Sequence, residues 1–333
     1  MAIQTNAQTS FTLIGAREDL SNTVYRIDPE DVPFQSNIST TGKATSIIHE
    51  WQTQALASPS ANYAIEGDTN VTNNTITQRV RLQNKCSISK KVYSVSGTSR
   101  ALDVAGVSDE LLEQRLLKGI ELKRDMEVTL LANNAYDSGG TNTARECAGL
   151  PAYISQTDAT GALFVYSAAA GTGADAWTLN GSTTQALNLT ILNGAMKTAY
   201  VSGGKPKMLM LSPDQKLKFS QMAFAAGTGT GAAPLRYNLN AVQQGALIGA
   251  VDTWMSDFGL VDVVVNVQQA SDSTFLNKTA FLVDPRFVSV DFLRPMMTEP
   301  LAKTGDADQE HILAEYTLKV GAPKAHAMLV KLS

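Results

Sequence analysis

Apolar and polar residues follow three different rhythms along the chain. Up to about residue 35 apolar residues are sparse, with Leu20, Val24, Ile27 and Phe34 spaced among polar ones. Pro29 and Pro33, with Glu30 and Asp31 between them, favour an extended or turning path, so the segment reads as an arm needing a partner surface. From Ser46 to Val95 the period is two: Ile47 to Gln54 is one strand, and Ile76, Val80 and Leu82 alternate with Thr77, Arg79 and Arg81 in another. The polar tract between them, Ser58 to Thr75, reads as a β-excursion projecting from the body, with an ordinary surface loop as the competing reading.

At Ser108 the period becomes helical. Ser108 is the expected cap, Asp109 and Glu110 complement the macrodipole, and only Gly119 interrupts the run before Asn133. About 25 residues make roughly 37 Å of helix. Its leucines, with Ile120 and Met126, spread over an arc of roughly 200°, wider than one sheet face needs. Gly139-Gly140 and Gly149-Leu150-Pro151 then mark an expected domain boundary.

Beyond it, Thr184 precedes Leu187, Ile191, Ala195 and Ala199 at helical spacing, and Gly203-Gly204 with Pro206 ends that helix. Lys207 to Leu211 reads as a buried strand, and Ser212-Pro213-Asp214 as a helix start. Ala225 to Ala233 is a Gly/Thr/Ala loop. Val251 to Met255 and Leu260 to Val267 flank Ser256-Asp257-Phe258-Gly259 as a hairpin, followed by strands at 280–283, 288–292, 312–320 and 327–332. With no repeat and no regular βαβ alternation, the class is α+β.

Composition narrows the function. The 333 residues suffice for about two domains, and 44% hydrophobic with 17% charged residues argues against disorder. Ser, Thr, Asn, Ala and Gly replace the missing charge, a surface suited to burial against copies of itself and one that a lone monomer could also carry. The net charge of −4 offers no overall basic field for nucleic acid. Cys86 and Cys147 make no disulfide framework or C-x-x-C pair, so a reducing compartment is expected. MAIQTNAQTSF lacks a signal-peptide pattern, and no apolar run reaches the roughly 18 residues of a membrane span, so no membrane partner is expected.

Motif fragments for catalysis fail on context. Ser87-Ile88-Ser89-Lys90 with Lys303-Thr304-Gly305 matches two elements of serine β-lactamases, but Ser87 lies in a strand-like stretch where that nucleophile must open a helix. Asp257-Phe258-Gly259 lacks every other kinase element and reads as a turn, and Gly227 to Gly231 lacks the G-K-[ST] of a phosphate loop. His49, His311 and His326 are not in metal-ligand spacing, so no metal or cofactor is expected. The acidic run Gly305 to Glu310 lacks EF-hand spacing and reads as a solvated loop or a salt bridge to a neighbour.

The order of features carries a resemblance. The stretches are Ile27-Asp28-Pro29-Glu30-Asp31-Val32-Pro33-Phe34, Glu50-Trp51-Gln52-Thr53, Glu66-Gly67, Glu121-Leu122-Lys123-Arg124-Asp125, Gly203-Gly204-Lys205-Pro206, Ser256 to Gly259, Leu293-Arg294-Pro295, Leu301 to Asp306 and Glu315-Tyr316-Thr317-Leu318. Together they resemble tailed-bacteriophage major capsid proteins of the Hong Kong 97 type. The resemblance implies an N-terminal arm over 1–45, an extended hairpin loop over 46–95, and a peripheral domain over 96–150 and 268–333 with a spine helix at 108–132. An axial domain over 151–267 completes it.

It further implies a non-enzymatic shell subunit that forms hexamers and pentamers around double-stranded DNA, in a virion assembled in the bacterial cytoplasm. Its partners would be a portal and separate scaffolding or decoration proteins, and the DNA would be touched without sequence preference. Expected contacts between subunits are Asp28, Pro29, Phe34, Trp51, Glu66, Arg79, Arg81, Asp306 and Glu310, with Arg79 and Arg81 meeting Glu66, Asp306 or Glu310 of a neighbour. Two departures stand out. Only about 30 residues precede the hairpin region, so a separate scaffolding protein, or none, is expected, and the Ser58 to Thr75 tract has no lysine, so the prototype's covalent cross-link is not expected. An encapsulin-type shell, a serine hydrolase using Ser87 and Lys90, and a tail-tube protein are the competing readings.

Overall fold

The computed structural model describes residues 8, 13–14, 21–67, 69, 73, 76–154, 164–165, 172–176, 184–224 and 252–333. Residues 21–32 have no regular structure and are nearly all exposed. Pro33 then opens a short helix, α1 (Pro33–Asn37), where a missing N–H costs nothing, and Phe34 enters the core completely. β1 (Ser39–Lys43) follows and pairs in parallel with residues 288–300. Residues 33–43, expected to lie within the arm, thus form a helix and a strand of the main sheet.

β2 (Ile48–Thr53) and β3 (Val80–Lys85) form an antiparallel ladder with Trp51 opposite Leu82, both buried. β4 (Ser87–Ser96) does not continue that ladder. It joins the main sheet, so the excursion is shorter than the expected 46–95. After α2 (Gly97–Ala101) comes the long helix, α3 (Glu110–Leu131). Its cap is Asp109, one residue later than expected, whose carboxylate accepts the Leu111 N–H at 3.0 Å. Its C-terminal half is sealed, with Leu122, Met126, Leu130 and Leu131 buried, whereas Leu112 and Leu116 in the N-terminal half remain exposed. The wide apolar arc is thus only partly covered within the chain.

The expected boundary near Gly149 is instead a centre of packing. The 3₁₀ turn Leu150–Tyr153 is fully buried, and a Cβ on Gly149 would lie 2.0 Å from the Ala132 carbonyl oxygen, so only glycine permits the approach. The chain continues through β5 (Phe164–Val165), α4 (Leu189–Val201) and β6 (Met208–Leu211) to α5 (Pro213–Phe224). Asn188 caps α4 by accepting the Ile191 N–H at 2.9 Å, and Ser212 Oγ accepts the Gln215 N–H at 3.4 Å. β7 (Thr253–Ser256) and β8 (Gly259–Val265) form the expected hairpin around Asp257 and Phe258. β9 (Ala280–Val283), β10 (Val288–Pro300), β11 (Ala307–Val320) and β12 (Ala327–Leu329) complete the described chain.

Two larger sheets result. One has the order β1-β10-β11-β4, with α3 packed on β4 and β11. The other runs β5-β12-β9-β6-β8-β7, so β9 and β12, expected to belong with the peripheral strands, pair in the sheet of β6 and β8. One core joins α3, the 150–154 turn and the first sheet, and a second lies under α4 and α5 against the six-stranded sheet.

Candidate functional site

The β2–β3 ladder is bolted at its base and unsupported beyond it. At the base, Trp51 Nε1–H donates to the Val320 carbonyl at 2.8 Å, and the indole packs on Tyr153 with ring centres 5.8 Å apart. Asn84 is buried with all its polar capacity used: Oδ1 accepts the Lys85 and Ala148 N–H groups at 2.8 and 2.9 Å. Its Nδ2 donates to the carbonyls of Leu318 and Ala148 at 2.7 and 3.3 Å. His49 Nε2 lies 2.9 Å from Asp291 Oδ2, whose carboxyl burial pushes up while His49 and Ser289 pull it below the usual range.

Past Thr53 and Val80 the links are local and polar, such as Gln54 Nε2–H to the Thr77 carbonyl at 3.1 Å. Here Leu56, Tyr63, Ile65 and Ile76 are at least 77% exposed. Val24, Tyr25 and Ile27 in residues 21–32 are likewise bare. A cavity of about 700 Å³ opens where the ladder meets the body, lined by Thr53, Ala55, Val80, Leu82, Pro323 and Lys324 among others. Isolated large apolar side chains on segments with no core of their own form a surface that another chain can bury. Tyr63 and Ile65 escaped the sequence reading because the tract around them is polar. Their signal was that nothing nearby could cover them.

The acidic residues of β11 have the opposite character. Glu310, buried, receives Arg115 Nη2 at 2.8 Å and Nε at 3.2 Å, and the Tyr93 hydroxyl at 2.5 Å. Burial pushes its carboxyl up, but Tyr93 and Arg115 hold it below the ordinary range. Asp308 is held below its ordinary range by Lys303 and then by Arg100, the latter at 2.5 Å. Glu315 lies between Arg145 at 2.7 Å and Arg294 at 2.9 Å. Of the run expected as a solvated loop or a neighbour's partner, Asp308 and Glu310 thus lie at the start of a strand and are matched within the chain, while Asp306 precedes it and is exposed.

Of the nine residues expected as contacts between subunits, Phe34, Trp51 and Glu310 are buried within this chain, which leaves them little surface for that role. Asp28, Pro29, Glu66, Arg79, Arg81 and Asp306 are exposed. The Pro29 carbonyl accepts from Gln268 Nε2 at 3.1 Å, Arg81 lies 3.6 Å from Glu50, and the Asp306 carbonyl accepts the Gly97 N–H. Arg79 precedes β3 and reaches Gln52 Oε1 at 3.5 Å. The ladder brings neither arginine to Glu310, which Arg115 occupies.

The serine-lysine pair fares differently. β4 alternates its faces, so buried Ser87 and exposed Lys90 point to opposite sides, and Ser87 Oγ–H is turned to Cys147 Sγ at 3.3 Å. That geometry denies Lys90 the role of base for Ser87. Among the described residues no group of three or more His, Cys, Asp and Glu side chains could hold a metal ion, and no helix is long and apolar enough to cross a membrane. The Gly227 to Gly231 loop lies outside the described residues.

The family model for the SU10 major capsid protein matches residues 3–333. The chain belongs to the SU10 major capsid protein family. A curated relative, the major capsid protein of Escherichia phage Phieco32, is 34% identical over 128 residues, which is 38% of this chain and 36% of the relative. The match thus spans little more than a third of that relative's length.

Among solved structures, the Cyanophage A-1(L) capsid asymmetric unit superposes with a TM-score of 0.65 at 11% identity, covering 97% of this chain and 98% of its counterpart. A structure from Gordonia phage Cozz gives 0.59 at 13% identity over 100% and 98%. At such identities the likeness establishes the fold, a mixed helix and strand architecture shared with phage capsid structures.

Proposed function

We propose that this member of the family builds the shell of a phage head, as hexamers and pentamers of itself that enclose double-stranded DNA. The observation that carries the reading is the set of apolar side chains Val24, Tyr25, Ile27, Leu56, Tyr63, Ile65 and Ile76, which the chain's own core does not cover. In the Hong Kong 97-type scheme, residues 21–32 are the arm and the segment beyond β2 and β3 the extended loop. α3 is then the spine helix, the β1-β10-β11-β4 sheet the peripheral domain, and α4 to β8 the axial domain. Arm and loop gain burial only when a second copy supplies the surface, and repeated heterologous contacts close into rings. Modest contacts suffice because many act together.

Asp28, Pro29, Glu66, Arg79, Arg81 and Asp306 remain the proposed contacts between subunits, exposed as such a role requires. A portal, with separate scaffolding or decoration proteins, would complete the head in the bacterial cytoplasm, and the protein's role is structural.

The test is negative-stain electron microscopy of the purified protein after size-exclusion chromatography, alone and with candidate scaffolds. Closed isometric particles, or capsomer-sized rings that convert to them, are the expected result. A monomer that never assembles under any of these conditions overturns the reading, and rods in place of shells would assign it to a tail tube.

A further inference from the structure

One buried acid has no part in the matched charges of β11. Glu127, on α3, is wholly inaccessible to solvent, and the groups that meet it are all amides. Oε1 accepts the Phe34 N–H at 2.7 Å and Asn266 Nδ2–H at 2.8 Å. Oε2 accepts the Gln35 N–H and Gln35 Nε2–H, both at 3.1 Å. Three of these four bonds come from α1, at the root of the arm. The first turn of any helix leaves backbone N–H groups without partners, and Val32, at the cap position of α1, makes no capping hydrogen bond. A carboxylate 93 residues away does that work.

A second hook lies beside it. Gln268 Nε2 donates to the carbonyls of Pro29 and Asp31 at 3.1 and 3.3 Å, and Asn266 Oδ1 accepts the Gln268 N–H at 2.9 Å. The 266–271 turn thus holds both the carboxylate and the last residues of the arm. The ionisable groups on the packed segments are turned elsewhere. Lys123 on α3 and Asp31 on the arm are exposed, Arg124 Nε points to Gln268 Oε1 at 3.4 Å, and Asp272 accepts the Thr274 N–H at 2.8 Å. β6 presents Met210 Sδ to Asn266 and no charge.

We propose that Glu127 is a proton-operated latch, which when ionised holds the first turn of α1, the root of the arm, on α3 and on protonation releases it. Both carboxylate oxygens face N–H donors, so a proton from solvent placed on either one sets O–H against N–H and displaces a bond. Burial pushes the Glu127 carboxyl above the usual range, and the hydrogen bonds of Phe34, Gln35 and Asn266 pull against it. The latch requires that Glu127 stay shielded beside Asn266 and Met210 when the root lifts: the carboxyl then loses the three arm-root donors that favour its ionised form and binds a proton more tightly still, so the ionised form holds the root more tightly. The latch goes beyond the shell reading and is independent of it, since every partner is in one chain.

Hydrogen exchange by mass spectrometry on the full-length, unassembled protein tests this between pH 7.5 and 4.5, after correction for intrinsic rates. The peptide over residues 31–38 should exchange at least tenfold faster at the acid end, with a midpoint above the pH of about 4.3 typical of glutamate, while a peptide within β11 stays protected. Glu127→Gln should leave the 31–38 peptide fast at every pH. Gln35→Ala keeps the carboxylate and removes one donor, so its midpoint should move to higher pH, a shift that loss of packing alone would not produce. Constant protection across the range in the wild type, wild-type protection in Glu127→Gln, or an unmoved midpoint in Gln35→Ala each overturns the latch.

Discussion

The β11 region and the β2–β3 extension are both built from strands, yet they solve opposite problems. Along β11 each carboxylate has a cationic partner from another element: Arg115 from α3 on Glu310, Arg100 from α2 on Asp308, and Arg145 with Arg294 on Glu315. Further along the strand Tyr316, Leu318 and Val320 are fully buried. Beyond Thr53 and Val80, by contrast, Leu56, Tyr63, Ile65 and Ile76 face solvent, and Gln54 Nε2–H donates to the Thr77 carbonyl outside any strand. A body that satisfies itself holds its shape before assembly, while an extension that does not must wait for a partner. Strength within the chain and demand for a neighbour are thus separated in space, with Trp51 and Asn84 at the seam.

The largest test of that separation is removal of a body charge. Glu315→Ala strands Arg145 and Arg294 without their shared carboxylate and should cost about 3–5 kcal/mol in urea unfolding. Trp51→Ala, at the seam, should fall in the same range, because a buried indole and its bond to the Val320 carbonyl are lost together. Were Trp51 an assembly contact only, its subunit stability would be unchanged.

Next comes acid. His326 is fully buried, with Nδ1 accepting the Asp284 N–H at 3.1 Å, and burial pulls it down to about 4. Below a pH of about 6.5 the unfolded chain takes up a proton that the folded chain refuses, so stability falls as pH drops from there to about 4 and then levels. The full loss from this group is about 3 kcal/mol, read from unfolding midpoints across pH, and His326→Asn should flatten the slope.

Smaller again is Gly42→Ala on β1. A Cβ there would overlap the carboxylate of Asp291, the partner of His49, and the crowding should cost about 1–3 kcal/mol by thermal unfolding. The smallest stability effect sharpens the comparison most. Ile27→Asp or Ile65→Asp should change subunit stability by less than about 0.5 kcal/mol yet reduce shell formation in electron micrographs. Normal shells from both variants would show that the extensions need no apolar partner.

Much of this was legible locally. The long helix, the hairpin around Asp257 and Phe258, the buried strand at 208–211 and the cap at Ser212 follow from period, turn residues and capping chemistry, which act within a few residues. The polar strand β1, Ser-Thr-Thr-Gly-Lys, carried no such signal, because a parallel edge strand takes its place from backbone pairing with β10. β10 runs through Pro295 because the ladder shifts register between Arg294 and Met297, where proline's missing N–H is tolerated. Glu127 looked like any helix glutamate, since nothing in its own turn shows that residues 34, 35 and 266 will enclose it.

By itself, then, the sequence determined the elements with a strong local period or cap, such as the long helix and the 253–265 hairpin, and the order that marks the capsid family. Only the tertiary structure decided which charges are matched, where residues 33–43 pack and which apolar residues stay bare. Local periodicity is set by neighbours in the chain, whereas burial and ion pairing are set by segments that the fold brings together from far away.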